Sequence, residues 1–124
     1  MSKRKLRLFL VEDHLASAQA IRAYLQVLGH EVEIAGDLAS ARKRAGEIKF
    51  DLLICDLRLP DGTGWDLLEW LREKSAVPAI AISGFGQPAD VARSKAVGFA
   101  EHLVKPINPE ELMASIERAI GDLP

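Results

Sequence analysis

The 124-residue chain predicts a single α/β domain built as a doubly wound parallel sheet with helices on both faces. Three observations carry this. Five short apolar runs alternate with five stretches of helical periodicity. No repeat, linker or low-complexity segment interrupts them. Four of the runs end in polar residues of related chemistry, where ligands bind in such sheets, outside the carboxyl ends of the strands.

The elements follow in order. Leu6 to Val11 reads as the first strand, with Glu12-Asp13 at its end. A helix over about 14–28 places Ala18, Ile21, Leu25 and Leu28 on one face, and Gly29 stops it. A second strand covers about 31–35. Asp37 then caps a helix with an inner stripe of Leu38, Ala41, Ala45 and Ile48. The third strand, 51–56, ends on Asp56. Pro60, Gly62 and Gly64 mark 57–64 as a loop without regular structure. A helix at about 65–73 presents Leu67, Leu68 and Leu71. The fourth strand, 78–82, is followed by Ser83. Residues 88–97 are helical in pattern with a weak stripe of Ala89, Ala92 and Ala96. The fifth strand, about 100–104, is followed by Lys105. Asn108, Pro109 and Glu111 supply the cap, first-turn proline and capping-box acid of a last helix that buries Leu112, Ile116 and Ile120.

Composition limits the function. At 48% hydrophobic residues the chain can fill a core, which excludes whole-chain disorder. A net charge of -2 gives no broad basic field for nucleic acid. Lys3-Arg4-Lys5 reads as a solvated lead-in and Arg42-Lys43-Arg44 as the outer face of a helix. One cysteine, Cys55, excludes an internal disulfide and a cysteine-built zinc site, and alternation along the strand turns it away from Asp56. No apolar run approaches the roughly 20 residues of a membrane span, and no signal-peptide pattern is present. The expectation is one cytoplasmic domain over 1–124, its core at about 6–120, with no direct contact to nucleic acid or membrane.

Three acids, a hydroxyl and an amine at four strand ends describe a site for a cation and a phosphate. Glu12, Asp13 and Asp56 would repel one another unless a cation lay among them. Ligands that are all oxygen suit Mg2+. Lys105 adds a compact positive charge and Ser83 a hydroxyl donor. Asp56 is then the natural nucleophile toward phosphorus.

With these residues in place, the chain resembles the receiver domain of two-component response regulators, from Leu6 to Ile120. The acidic pair matches Glu12-Asp13, the phosphoacceptor Asp56, the hydroxyl residue Ser83, and the lysine–proline pair Lys105-Pro106. The loop 59–64 matches the one that follows the acceptor. The resemblance implies a flavodoxin-like (βα)5 fold with strand order 2-1-3-4-5. It implies Mg2+ held by Asp13, Asp56 and the Arg58 backbone carbonyl, with Glu12 acting through water. It implies phosphoryl transfer to Asp56 from a histidine kinase or histidine phosphotransfer domain, aided by Ser83, Lys105 and amides near Gly84. Such a chain is a signalling domain rather than an enzyme, and homodimerisation on phosphorylation is open. Phosphorylation in the family switches the face of the fourth helix, fifth strand and fifth helix through Ser83 and an aromatic residue, a place held here by His102. On a surface strand His102 reads as solvated. The runs 82–86 and 98–106 resemble receivers attached to hybrid sensor histidine kinases. Arg58 and Phe85 flank the site and would tune the access of water, and Ser83 to Gly86 gives a mobile loop.

Smaller signals are set beside these. His14 reads first as a helix start and second as a metal ligand. Trp65 and Trp70, five apart, cannot share a helix face, so one is expected to be partly exposed. A haloacid-dehalogenase-type phosphatase would need an acid at the place of Arg58 and room for a cap domain. A cofactor binder of flavodoxin type would need a phosphate-cradling loop where Glu12-Asp13 stands. A receiver-like interaction domain that works without phosphorylation is the alternative of another class; the complete acid, hydroxyl and lysine set speaks against it.

Overall fold

The structure, a computed structural model, describes residues 4–84 and 86–121. Its elements are β1 (Arg7–Val11), α1 (Leu15–Val27), β2 (Glu31–Ala35), α2 (Leu38–Ala45), β3 (Leu52–Asp56), β4 (Arg58–Leu59), β5 (Gly62–Thr63), α3 (Gly64–Arg72), β6 (Ala79–Ser83), α4 (Pro88–Val97), β7 (Glu101–Val104) and α5 (Pro109–Ile120). The main sheet runs β2-β1-β3-β6-β7, with every pair parallel. With the short β4–β5 hairpin set aside this is the expected order 2-1-3-4-5. The chain turns back between β1 and β3, so a crevice opens at their carboxyl ends.

Alternation divides the core between the two faces. Leu8, Leu10, Ile54, Ile80, Ile82 and Leu103 pack with Leu25, Leu112 and Ile116 from α1 and α5. Phe9, Val11, Leu53, Cys55 and Ala81 pack with Leu38, Leu67, Leu68 and Leu71 from α2 and α3. Every residue of β3 and β6 is buried, as expected of central parallel strands covered on both sides. Asp37, Thr63 and Asn108 each accept an N–H three residues on, which starts α2, α3 and α5.

Four expectations are corrected. The stretch 57–64 is not free of regular structure: Arg58 pairs with Thr63 and Leu59 with Gly62 in an antiparallel hairpin. Pro60 sits in its two-residue turn, where no ladder N–H is needed. In α4 the three alanines face solvent, and the wholly buried residue is Ser94. Leu28 is the C-cap of α1 and is exposed, because the chain turns away before that position can face the sheet. Ile48 lies beyond the end of α2 at Ala45, yet still packs against the core from the following loop.

Candidate functional site

The acidic cluster forms where β1 and β3 end side by side. Val11 and Cys55 are register partners, so Glu12 and Asp56, one residue later on each strand, share the crevice. Glu12 is fixed by its N–H to the Ala35 carbonyl at 3.0 Å. Carboxylate oxygens of Glu12, Asp13 and Asp56 lie within 4.8 Å of one another; Glu12 and Asp56 are buried and Asp13 is exposed. Three oxygen donors, one facing solvent, suit a hard divalent cation that keeps part of its water shell.

Lys105 reaches the same point from the end of β7. Its Nζ donates to Glu12 Oε1 at 2.6 Å and to Asp56 Oδ2 at 2.7 Å. Its backbone N–H donates to the Ser83 carbonyl at 2.7 Å, and the Lys105–Pro106 peptide is cis. The remaining carboxylate oxygens are also bound: the His14 N–H donates to Glu12 Oε2 at 3.1 Å and the Arg58 N–H to Asp56 Oδ1 at 3.0 Å.

Burial holds the Glu12 carboxyl above its ordinary range; the Lys105 bond opposes this without cancelling it, and neighbouring Asp56 adds to the rise. Burial draws the Lys105 amine down, but its bonds to Asp56 and Glu12 outweigh that and raise it. Cys55 is driven far up, first by burial and then by Asp56 and Glu12, so it remains a thiol.

The other residues singled out are placed as follows. Ser83 is buried at the end of β6, one position past Ile82, the register partner of Asp56. Arg58 is exposed and holds Asp56 through its backbone. His14 is the N-cap of α1, its Nδ1 accepting the Ser17 N–H. Phe85 lies outside the described residues. His102 is not a solvated histidine: it is half-buried, with Nδ1 2.9 Å from Ser94 Oγ. Trp65 and Trp70 are both half-buried, on opposite flanks of α3. Trp65 donates to Ser94 Oγ at 3.0 Å, and Trp70 lies under Lys74 and Arg42.

Three contributors are not read from the sequence. Asp61, in the hairpin turn, accepts the Leu38 and Ala39 N–H groups and so caps α2 from outside. A Cβ on Gly64 would stand 2.6 Å from the Asp56 carbonyl oxygen and 2.9 Å from Cys55 Sγ, so α3 can begin against the acceptor strand only with glycine there. Ser94 joins two side chains that are distant in sequence. Only the glycine left a local signal, in the Gly62-Thr63-Gly64 run.

A family model for the response regulator receiver domain matches residues 8–117. The chain belongs to this family. The receiver is 35% identical over 116 residues to the "Probable transcriptional regulator ycf29" of Porphyra purpurea, covering 91% of this chain and 56% of the relative. It is 33% identical over 112 residues to the "Regulatory protein LuxO" of Vibrio cholerae serotype O1, covering 90% of this chain and 25% of the relative. The receiver therefore spans about half, or a quarter, of the length of these curated relatives. Among solved structures, chemotaxis response regulator CheY4 of Vibrio cholerae aligns with a TM-score of 0.87 at 31% identity, covering 94% of this chain and 99% of that one. The non-phosphorylated HemR receiver domain from Leptospira biflexa aligns at 0.87 and 30%, covering 97% and 98%. A receiver is a signalling domain of two-component systems rather than a classical enzyme, and it accepts phosphoryl groups from histidine kinases. Among the described residues no helix is long and apolar enough to cross a membrane.

Proposed function

We propose that Asp56 accepts a phosphoryl group from a phosphohistidine of a kinase or phosphotransfer domain. The observation that supports this most is the convergence of Lys105 on Glu12 and Asp56 beside exposed Asp13. An Asp56 carboxylate oxygen attacks phosphorus, the P–N bond breaks, and its electron pair returns to the imidazole nitrogen, which takes up a proton. Charge on the transferring group is met by the Lys105 ammonium, the Ser83 hydroxyl and amides near Gly84. Asp13, Asp56 and the Arg58 carbonyl would hold Mg2+ directly and Glu12 through water; the ion would supply electrostatic stabilisation of the phosphoryl oxygens. For Asp56 to attack, Lys105 must move its bond from the carboxylate to the phosphoryl group.

The reading takes 1–124 as one receiver acting in the cytoplasm. Its output would be altered binding at the α4–β7–α5 face, with Ser83 and His102 as switch residues. Attachment to a hybrid histidine kinase rests on the runs 82–86 and 98–106 alone, whereas the relatives named above bear the names of regulators. Intact-mass measurement with acetyl phosphate and magnesium tests the reaction. One phosphoryl adduct is expected on the wild type, lost with chelator and absent from Asp56→Asn. No adduct on the wild type, or an equal adduct on Asp56→Asn, overturns the reading.

A further inference from the structure

A second opening lies at the end of the sheet away from Asp56. Asp51, just before β3, and Asp56, at its end, stand roughly 16 Å apart at about 3.3 Å per residue. Around Asp51 the last turns of α2 and α3 and the starts of β1 and β2 enclose an open groove of about 910 Å³. Its floor is apolar. Ala45, Ile48, Phe50, Trp70 and Val77 pack against the core, yet each is only half-buried and keeps part of its surface in the groove. Its rim is cationic. Arg4, Lys5, Arg7, Arg42, Lys49 and Lys74 are all exposed there, against two acids, Glu31 and Asp51. The whole chain carries 16 basic and 18 acidic residues, so the surplus of positive charge belongs to this end. Complementing the carbonyl ends of α2 and α3 accounts for Arg42 and Lys74, but the other four cations lie on no helix.

We propose that this groove binds an acidic amphipathic segment of a partner protein, with its apolar side chains on the floor and its carboxylates on the rim. Among the described residues Arg42, Lys49 and Lys74 form no salt bridge. Arg42 and Lys74 lie over the Trp70 ring at 5.9 Å and 4.4 Å, and Arg42 also feels the charge of Asp61. Arg4, Lys5 and Arg7 meet Asp51 and Glu31 at 3.3 to 3.7 Å. Such exposed pairs contribute little, so an incoming carboxylate can exchange with them. A nucleotide or a polyphosphate would want cations converging on one point and donors for a base. Here the cations fall in two groups, one at the start of β1 and one around Trp70, with Lys49 on the loop from α2 to β3. Ser75 is the only hydroxyl side chain among the described lining residues. An apolar strip with charge on separate flanks matches the two faces of an amphipathic helix, and Trp70 and Phe50 are anchors of the kind that dominate such interfaces. The proposal does not rest on the phosphoacceptor reading.

Titration of the isotope-labelled full chain with a synthetic peptide, followed by NMR, tests this. The peptide has about 15 residues, with leucine and phenylalanine on one helical face and glutamate on the other. Saturable shifts are expected at the amides of 45–51 and 70–77, with those of Glu12, Asp13 and Asp56 unmoved. Arg42→Glu and Lys74→Glu, both at exposed positions, should each weaken affinity about tenfold, because a reversed rim charge turns attraction into repulsion. Raising salt from about 0.05 M to about 0.5 M should weaken binding severalfold. A peptide with serine for its leucines and phenylalanines should not saturate, and Asp56→Asn should bind the original peptide as the wild type does. Failure to saturate by about 1 mM peptide, equal affinity for the serine peptide or for one with lysine in place of glutamate, or unchanged affinity in both charge-reversed variants overturns the proposal. Shifts confined to the Asp56 crevice overturn it as well. ATP or tripolyphosphate binding more tightly than the peptide overturns it in favour of a small-anion site.

Discussion

Lys105→Ala isolates the electrostatics of the site. The wild-type ammonium lies 2.6 Å and 2.7 Å from two carboxylate oxygens whose side chains are 0% and 7% exposed. At an effective dielectric constant near 20, each contact represents a gross attraction of about 6 kcal/mol. Most of this repays desolvation. Removing one partner of a buried pair typically costs about 3–5 kcal/mol, and the 31% exposure of Lys105 lowers the expected loss to about 2 kcal/mol. In urea, with chelator at neutral pH, that is a midpoint about 1 M below the wild type. The cost should grow with pH. Glu12 has a folded pKa above 4.5, so its stabilising contribution is complete below 4.5 and is lost as pH rises through the folded value. Deleting Lys105 removes the strongest influence that holds Glu12 down, so the gap between variant and wild type should open from pH 4.5 upward. Magnesium should close part of that gap, giving the variant a larger magnesium-induced midpoint shift than the wild type. A chelator-treated variant with the wild-type midpoint at all pH values, or a smaller magnesium shift than the wild type, would refute the reasoning.

Two further predictions follow from the acceptor strand and its supports. Gly64→Ala sets a Cβ against the Asp56 carbonyl and Cys55 Sγ, so overpacking should cost about 1–3 kcal/mol in urea unfolding and weaken beryllofluoride binding at Asp56 by displacing it. Asp61→Ala removes the acceptors of the Leu38 and Ala39 N–H groups and should lower the melting temperature near neutral pH. Because those bonds hold the Asp61 carboxyl below 3.8, its contribution is present above 3.8 and is lost as pH falls through the folded value, so the two melting temperatures should converge in acid.

The strand-end chemistry of this receiver was legible because each mark is local. An apolar run and the polar residue that closes it are neighbours in the chain, and burial of a central parallel strand leaves no other way to write β3 or β6. The caps Asp37 and Asn108 were legible for the same reason, since each acts within three residues. The face of α4 was not. Its alanines are too small to declare a side, and the choice fell to Ser94 because Trp65 and His102 offer it partners from two other elements. The β4–β5 hairpin escaped because two residues per strand cannot establish a period.

The sequence by itself determined the alternation of strands and helices and the identity of the acids, hydroxyl and amine at the strand ends. Only the tertiary structure decided that Lys105 pairs with both Glu12 and Asp56, although 93 and 49 positions separate them. Only the structure showed that His102 Nδ1 lies 2.9 Å from Ser94 Oγ. The physical reason is common to both cases. A side-chain hydrogen bond is fixed by distances of about 3 Å, and those distances are set by which strands lie next to one another and which helix covers them.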